Sequence, residues 1–210
     1  MATFAFIHGG GDVGWYWHLV EAELRSRGHD TVAPDLPCAD DDAGLAEYAE
    51  TVVEAIGDRT GVVVVAHSLG GFVAPIVADR VNADALVLVA AMIPAPGEPP
   101  ADWWQNTGYQ SPTDDDPFVT FYNGVPRALA VEAMGRERDQ STEWMAGPWP
   151  MAAWPAVPTK VVLCRDDRFF PPDFLRRVAK TRLDITPDEI DGGHCVALSH
   201  PRELADVLAG

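Results

Sequence analysis

The feature that most constrains the fold of this 210-residue chain is a strand–turn–helix unit in its first half. Residues 61–65 read Gly-Val-Val-Val-Val, an apolar β-branched run that is typical of a strand covered on both faces of a parallel sheet. Residues 72–81 follow with apolar side chains at helical spacing. The hexapeptide Ala-His-Ser-Leu-Gly-Gly at 66–71 joins the two runs, so it is predicted to form a tight turn.

Ser68 stands at the corner of this turn, with small residues two positions away on either side. That spacing matches the G-x-S-x-G nucleophile elbow, in which the turn lifts the serine hydroxyl clear of the sheet. The N-terminus of the next helix then points at any oxyanion formed beside the serine. The alternative is an ordinary turn whose serine caps the helix. The hexapeptide favours a nucleophile and leaves this alternative open.

Strand-like and helix-like runs alternate along most of the chain. Strands are predicted near 3–8, 31–34, 61–66, 84–90, 159–164 and 183–190. Helices are predicted near 15–27, 43–57, 69–81, 172–180 and 196–208. Alternating βα units imply a parallel sheet with helices on both faces. The length predicts a single α/β domain over residues 1–210.

The segment 94–158 breaks this alternation. It is rich in proline, shows only weak helical pieces around 125–135 and 139–146, and carries Trp103, Trp104, Trp144, Trp149 and Trp154. So many indoles are not typical of a flexible linker. We therefore expect a small cap over the carboxyl edge of the sheet, where open α/β sheets bind ligands. The first four of these tryptophans are predicted to bind substrate, with at least one facing Ser68.

A serine nucleophile needs a base and a carboxylate that orients the base. The predicted strand at 159–164 runs out into Arg-Asp-Asp-Arg, which places Asp166 and Asp167 at its carboxyl edge. The last strand ends before Asp-Gly-Gly-His, which places His194 at the same edge. Ser68, Asp167 and His194 then follow the chain order Ser…Asp…His of a known triad arrangement. Asp167 is preferred to Asp166 because of its spacing to Pro171.

The first strand leads into His-Gly-Gly-Gly at 8–11, a loop whose glycines allow backbone N–H groups to point inward. Gly10 and Leu69 are predicted to supply the two N–H donors of an oxyanion hole. His8 is expected to hold the loop by hydrogen bonds. The site is predicted to need no metal ion and no organic cofactor.

One motif suggests a dinucleotide site instead, because Gly9, Gly11 and Gly14 have the G-x-G-x-x-G spacing and Asp35 ends the next strand. The third glycine is followed at once by Trp-Tyr-Trp, which is too bulky for close helix–strand packing. Asp35 lies in a stiff Pro-Asp-Leu-Pro loop. This interpretation also leaves Ser68 and His194 without a role, so it is disfavoured.

Charge and cysteine content exclude several other functions. The chain has 15 Lys and Arg against 32 Asp and Glu, a net charge of −17, which opposes binding to nucleic acid or an anionic membrane. Cys38, Cys164 and Cys195 are widely spaced and suggest neither a disulfide framework nor a zinc site. No leader or membrane-spanning run is recognisable. We therefore expect a cytoplasmic protein whose partner is a small molecule, with its oligomeric state left open.

Taken together, these motifs resemble the α/β-hydrolase superfamily over nearly the whole chain. The resemblance rests on His-Gly-Gly-Gly at 8–11, Pro-Asp-Leu-Pro at 34–37, the elbow at 66–71, Asp167 with Pro171, and Gly-His at 193–194. The pattern His-Gly-x-x-x-x-Gly-Trp-x-Trp at 8–17 looks most like the small esterases and hydroxynitrile lyases grouped with plant methyl-salicylate esterases. Ala66 departs from the usual first glycine of the elbow.

The resemblance implies an α/β-hydrolase fold with about six strands, all parallel, and helices on both faces. The antiparallel hairpin that begins the family's sheet is expected to be missing. The implied activity is hydrolysis of a small, mainly apolar carboxylic ester through an acyl-enzyme on Ser68. A thioesterase or acyltransferase remains possible, as does a receptor that binds without turnover. Lyases of this group carry lysine directly after the histidine, whereas this chain has Cys195 there, so cyanohydrin cleavage is disfavoured.

Overall fold

The computed structural model describes the whole chain, Met1–Gly210, and contains one six-stranded sheet. The strands are β1 (Thr3–Ile7), β2 (Asp30–Val32), β3 (Val62–His67), β4 (Ala85–Val89), β5 (Thr159–Cys164) and β6 (Asp188–Ile190). They lie in the order β2-β1-β3-β4-β5-β6, and every neighbouring pair is parallel. The prediction of about six parallel strands is confirmed.

Nine α-helices accompany the sheet. They are α1 (His18–Ser26), α2 (Leu45–Ile56), α3 (Ala74–Arg80), α4 (Trp103–Asn106), α5 (Pro117–Thr120), α6 (Arg127–Met134), α7 (Pro172–Leu183), α8 (Val196–Ser199) and α9 (Pro201–Ala209). Helices α1, α8 and α9 pack on one face of the sheet, and α2, α3 and α7 pack on the other. All of them are too short or too polar to span a lipid bilayer.

Alternating side chains of the strands belong to two separate hydrophobic cores, one on each face of the sheet. In β1, Phe4 and Phe6 join the core under α1 and α9, whereas Ala5 and Ile7 join the core under α2 and α3. This is the period of two expected of a strand, here apolar on both faces because helices cover both. The two cores hold β3 at the centre of the sheet, so the turn after β3 starts from a rigid base.

Two predicted elements differ from the structure. The strand predicted at 183–190 is only β6, because α7 continues to Leu183 and ends on Asp184, which adopts the left-handed conformation with φ 56°. The helix predicted at 196–208 is divided into α8 and α9. Pro201 begins α9 and disfavours helical backbone at His200, which has ψ 52°.

Between β4 and β5 the chain forms a segment of short helices and irregular backbone, residues 94–158, which we call the cap. It contains α4, α5 and α6. The base of the cap is fixed to α7, since Arg182 hydrogen-bonds both carboxylate oxygens of Glu98, whose side chain is only 5% exposed. Asn106 also donates to Glu98 at 2.9 Å. This ion pair ties the cap to the core of the fold.

Candidate active site

The turn after β3 holds Ser68 in a strained backbone conformation. Its φ is 50°, in the left-handed region that non-glycine residues rarely occupy. Such a conformation costs about 1–3 kcal/mol and persists only where surrounding structure enforces it. Here Met92 N–H donates to the Ser68 carbonyl at 2.9 Å, and the backbone of Met92 lies where a Cβ on Gly71 would be, 1.8 Å from its carbonyl oxygen. Only glycine fits at that position.

Asp167 and His194 are brought together as the sequence predicts. Asp167 Oδ2 lies 2.9 Å from His194 Nδ1, and the side chains are 0% and 3% exposed. The other carboxylate oxygen, Oδ1, accepts the backbone N–H groups of Phe169 and Phe170, both at 2.8 Å. The carboxylate therefore keeps the proton on Nδ1, and the hydrogen-bond pattern assigns the lone pair of the imidazole to Nε2.

The carboxylate of Asp166, the preceding residue, does not face His194. Asp166 Oδ2 lies 3.4 Å from the N–H of Gly192, and its side chain makes no hydrogen bond to His194. The backbone carbonyl of Asp166 accepts from the side-chain amide of Asn123 at 2.9 Å. Only Asp167 is thus placed to orient the imidazole.

Ser68 and His194 line the same cavity, which has a volume of about 320 Å³. They face it without a direct hydrogen bond between the hydroxyl and the imidazole. Catalytic hydrogen bonds are often long in unliganded enzymes and tighten when substrate binds. The cavity therefore presents a hydroxyl and a free imidazole nitrogen to one small molecule.

The glycine loop after β1 borders this cavity. A Cβ on Gly9 would lie 3.1 Å from Ser68 Cβ, and one on Gly10 would lie 3.1 Å from Leu69 Cδ2, so the loop packs directly on the elbow. The N–H of Gly10 donates to no atom of the protein. Leu69 N–H lies in the first turn after β3, where helical N–H groups lack intrahelical partners. Gly10 and Leu69, the residues predicted to supply the oxyanion donors, therefore lie directly against each other.

Two buried histidines support the site. His8 Nδ1–H donates to the carbonyl of Gly9 at 2.8 Å, and its Nε2 accepts from Leu36 N–H at 3.0 Å, so the neutral ring bridges two loops. Burial lowers the pKa of His8 to about 4. His67 Nε2 lies 3.1 Å from the carbonyl of His194 and, as a donor, holds that loop. Burial also lowers the pKa of His67 well below its usual value.

One wall of the cavity is polar. Asp12, Glu137 and Arg138 line it, together with Tyr122, whose hydroxyl lies 2.6 Å from Glu137 Oε1. Burial raises the pKa of Asp12 to about 7, and the charge of Glu137 acts in the same direction. Arg138 donates to the backbone carbonyls of Asp12 and Leu36 at 3.2 and 2.8 Å. Phe121 lines the apolar side of the cavity.

The predicted tryptophans do not line this cavity. Trp103 and Trp149 are 0% and 1% exposed, and their indole N–H groups donate to the carbonyls of Ile93 and Phe72 at 3.0 and 2.9 Å. They attach the cap to the core. Trp144 packs edge-on against Tyr48, on the far side of the glycine loop. The expectation that one of these rings faces Ser68 is therefore corrected.

Trp104 lines a second, larger cavity of about 570 Å³. Tyr109, Phe121 and Phe169 complete its aromatic side. The rings of Phe121 and Phe169 have their centroids 4.6 Å apart, and both also contact the ring of His194, at 5.8 and 5.0 Å. Phe121 borders both cavities and so forms part of the partition between them.

Sequence reasoning missed the polar wall and this partition. The residues concerned are Asp12, Phe121, Tyr122, Glu137 and Arg138. Asp12 directly follows the glycine loop, so its position after Gly11 was an available signal. The others lie in the irregular cap, where no periodic pattern indicates which side chains turn inward.

The dinucleotide interpretation also finds no support in the loop geometry. Asp35 Oδ1 accepts the N–H of Gly14 at 2.7 Å, so this carboxylate is engaged in holding the loop after β1.

Comparison with known proteins agrees with the fold. A family model described as "Alpha/beta hydrolase family" matches residues 4–207, and the chain belongs to that family. Methylesterase 9 of Arabidopsis thaliana is 31% identical over 250 residues, covering 99% of this chain and 97% of the relative. Methylesterase 7 of the same plant is 27% identical over 248 residues, covering 98% and 94%.

Solved structures give the same result for the fold. Polyneuridine aldehyde esterase superimposes with a TM-score of 0.85 at 20% identity, covering 100% of this chain and 98% of that one. An extracellular alpha/beta-hydrolase from a Paenibacillus species superimposes with a TM-score of 0.81 at 17% identity, again covering 100% and 98%. The alignments with the two methylesterases are longer than this chain, so those relatives contain insertions relative to it.

Proposed function

We propose that the protein is a serine esterase that cleaves a small, neutral carboxylic ester through an acyl-enzyme. The observation that carries the proposal is the buried hydrogen bond between Asp167 and His194 at the rim of the cavity that contains Ser68. The strained φ of Ser68 supports it, because strain of this kind clusters at functional residues. The esterase names of the related proteins point to the same chemistry.

The proposed reaction would use these groups in turn. His194 Nε2 takes the proton of Ser68 Oγ, and the oxygen attacks the ester carbonyl. The N–H groups of Gly10 and Leu69 hold the developing oxyanion. His194 then gives the proton to the leaving alkoxide, which departs as an alcohol. Water, activated by the same imidazole, releases the acid and restores Ser68. Asp167 stabilises the imidazolium in both halves.

The volume and the lining charges of the cavity also favour one class of substrate. A volume of about 320 Å³ lies at the low end of ordinary ligand sites. Phe121 and Pro117 offer apolar contact on one side. On the other side Glu137 and the partly ionised Asp12 together outweigh the single positive charge of Arg138. A carboxylate on the substrate would be repelled there, so a neutral ester with an apolar portion fits this cavity better than an anionic one.

A panel of p-nitrophenyl and methyl esters of varied chain length and ring size, combined with a fluorophosphonate probe, tests the proposal. We expect the probe to label Ser68 and Ser68→Ala to lose about 10⁴-fold or more in turnover. Ser26→Ala, which changes an exposed serine at the end of α1, is the matched control and should keep full activity. A folded Ser68→Ala variant with near-normal activity would falsify the mechanism.

The same measurements separate the remaining alternatives. A receptor would show at most one slow cycle per protein molecule, whereas an esterase turns over repeatedly. Thioesters and alternative acyl acceptors in the panel distinguish thioester hydrolysis and acyl transfer from ester hydrolysis. Cyanohydrin cleavage remains disfavoured, because Cys195, which follows His194, is 6% exposed and carries no charge suited to cyanide.

A further inference from the structure

A short piece of the cap, residues 138–141, is hydrogen-bonded along the glycine loop. Arg138 N–H donates to the carbonyl of Gly11 at 2.7 Å, and Gly11 N–H donates to the side-chain oxygen of Gln140, Oε1, at 3.1 Å. Ser141 N–H donates to the carbonyl of Cys38 at 2.7 Å. Both backbone polar groups of Gly11 are thus held by the cap, and neither is held by the sheet.

The orientation of the Gln140 amide is determined by its partners. Its Nε2 lies 2.8 Å from the carbonyl oxygen of Ser141, which can only accept a hydrogen bond, so the nitrogen must face that carbonyl. The same Nε2 lies 3.1 Å from the hydroxyl of Tyr48, a largely buried residue of α2. The amide oxygen is left to face Gly11 N–H, which can only donate. Three contacts therefore fix one side chain.

Gln140 also lies next to the proposed oxyanion donor. A Cβ on Gly10 would be 3.7 Å from Gln140 Oε1 and 3.1 Å from Leu69 Cδ2, so Gly10 lies between the cap and the elbow. Gly11 has φ 66°, and a Cβ there would be 2.8 Å from the carbonyl oxygen of Arg138. The loop can follow this path only because it has no side chains.

Three consecutive glycines have more backbone freedom than any other tripeptide, so their conformation needs external anchors. His8 anchors the start of the loop through its bond to the carbonyl of Gly9. Gln140 anchors its end, and it does so at the peptide group that joins Gly10 to Gly11. The Gly10 N–H belongs to the preceding peptide, whose carbonyl is the one that His8 holds. Because Gln140 fixes the following peptide, the backbone is anchored on both sides of Gly10, and losing either anchor would let the Gly10 N–H turn away from the cavity.

We propose that Gln140 is a positioning residue for the oxyanion hole: its amide oxygen, fixed by Tyr48 and Ser141, holds Gly11 so that Gly10 N–H faces the carbonyl oxygen of the substrate. The inference rests on the proposed esterase function. It assigns the cap a part in the chemical step, in addition to covering the substrate. Loss of this anchor lowers stabilisation of the transition state more than binding of the neutral ester, so kcat falls while KM changes little.

Gln140→Leu removes the acceptor at nearly the same volume, and Gln140→Glu retains an acceptor oxygen. We expect Gln140→Leu to lower kcat about 10- to 100-fold with KM within about threefold, less than the 10²–10³-fold loss for deleting a donor outright. Gln140→Glu should lie between the parent and Gln140→Leu, because it keeps the acceptor for Gly11 N–H but sets a carboxylate oxygen against the carbonyl of Ser141. Gln110→Leu, an exposed glutamine of the cap bonded only to the carbonyl of Tyr109, is the control and should match the parent enzyme.

Rates are expressed per active site titrated with fluorophosphonate, so that misfolded protein does not contribute. Tyr48→Phe is a second, milder variant, because it removes one partner of Gln140 and leaves the bond to Gly11; a two- to fivefold loss of kcat is expected. A trifluoromethyl ketone, which forms an oxyanion on the serine, gives a second readout. Its inhibition constant should rise with the loss of kcat in Gln140→Leu, whereas that of the alcohol product should not change.

The outcomes separate the two proposals. A parent enzyme that hydrolyses no ester would overturn both the function and this inference. An active parent whose Gln140→Leu variant keeps kcat and ketone affinity within twofold would overturn the inference alone. A Gln140→Leu variant whose KM rises as much as its kcat falls would also overturn it, because the anchor would then serve substrate binding and not the oxyanion.

Discussion

Asp167 accepts a hydrogen bond from His194 on one carboxylate oxygen and two from the backbone of its own loop on the other. The bond to the imidazole is 2.9 Å long, and the two bonds to the N–H groups of Phe169 and Phe170 are 2.8 Å each. The carboxylate therefore cannot rotate without breaking the turn that follows β5. The backbone of this loop therefore fixes the orientation of the imidazole through Asp167.

Asp167→Asn is expected to lower kcat by about 10³–10⁴-fold while the fold is retained. The two backbone N–H groups of the loop require the amide oxygen of the asparagine, so its NH₂ group would face the imidazole and hold it as the wrong tautomer. Asp166→Asn is the matched control, since Asp166 does not contact His194, and should remain within a fewfold of the parent. Steady-state kinetics on one ester measures both variants. A large loss of kcat in Asp166→Asn with a small loss in Asp167→Asn would contradict the assignment of Asp167.

Phe121→Ala is expected to connect the two cavities that its ring helps to separate. The enlarged site should accept an aromatic ester better, so the ratio of kcat/KM for an aromatic ester to that for a short-chain ester should rise about 10-fold or more. Phe118→Ala is the control, because Phe118 lies in α5, the short helix directly before Phe121, but stacks with Arg127 and lines neither cavity. Equal ratios in the two variants would contradict the role of Phe121.

The catalytic order and the fold could be predicted because their signals are local. The turn at Ser68, the loop at Gly10 and the positions of Asp167 and His194 each follow a strand that can be recognised from its own residues. A parallel sheet then brings all four to one edge. No knowledge of distant contacts is needed for that inference.

The cap could not be predicted in the same way. Trp103 and Trp149 are predicted at the substrate because the cap is expected over the carboxyl edge of the sheet, yet their N–H groups bond to the carbonyls of Ile93 and Phe72 in the core. Which side of an irregular segment faces inward depends on these tertiary contacts. Asp184, which ends α7 in a left-handed conformation and shortens β6, was missed because single non-glycine residues rarely adopt it.

The lowered pKa of His8 predicts that the folded protein loses stability as the pH falls below 6.5. Its folded-state pKa of about 4 lies below the unfolded value of 6.5, so the folded state favours the neutral ring. Stability from this group is fully present above pH 6.5 and is lost as the pH falls toward 4. Protonation would place a hydrogen on Nε2, where Leu36 N–H already donates. Melting temperatures from pH 8 to pH 4 should therefore fall less steeply for His8→Gln than for the parent.

His18→Gln is the control for that series, because His18 is partly exposed and bonds only to the carbonyl of Trp15. Its melting curve should keep the slope of the parent between pH 6.5 and pH 4. An unchanged slope in His8→Gln would show that the acid sensitivity comes from other groups.

The polar wall predicts that the protein cleaves neutral esters in preference to anionic ones. The dimethyl ester of a short dicarboxylic acid should be cleaved with a kcat/KM about threefold or more above that of the monomethyl ester, because Glu137 and ionised Asp12 together outweigh Arg138 beside its free carboxylate. Above pH 7 Asp12 is mostly ionised, since its pKa is raised to about 7, so the preference should grow between pH 6 and pH 8. Asp12→Asn should reduce both the preference and its rise with pH. A constant ratio in parent and variant would contradict this account.

The order of the strands also separates the candidate site residues during folding. Ser68 follows β3, at the centre of the sheet, whereas Asp167 and His194 follow β5 and β6, which lie later in the chain and add to one side of the sheet. A folding intermediate that lacks these two strands would hold Ser68 with no base beside it. The proposed nucleophile would therefore gain its reactivity only when β5 and β6 dock.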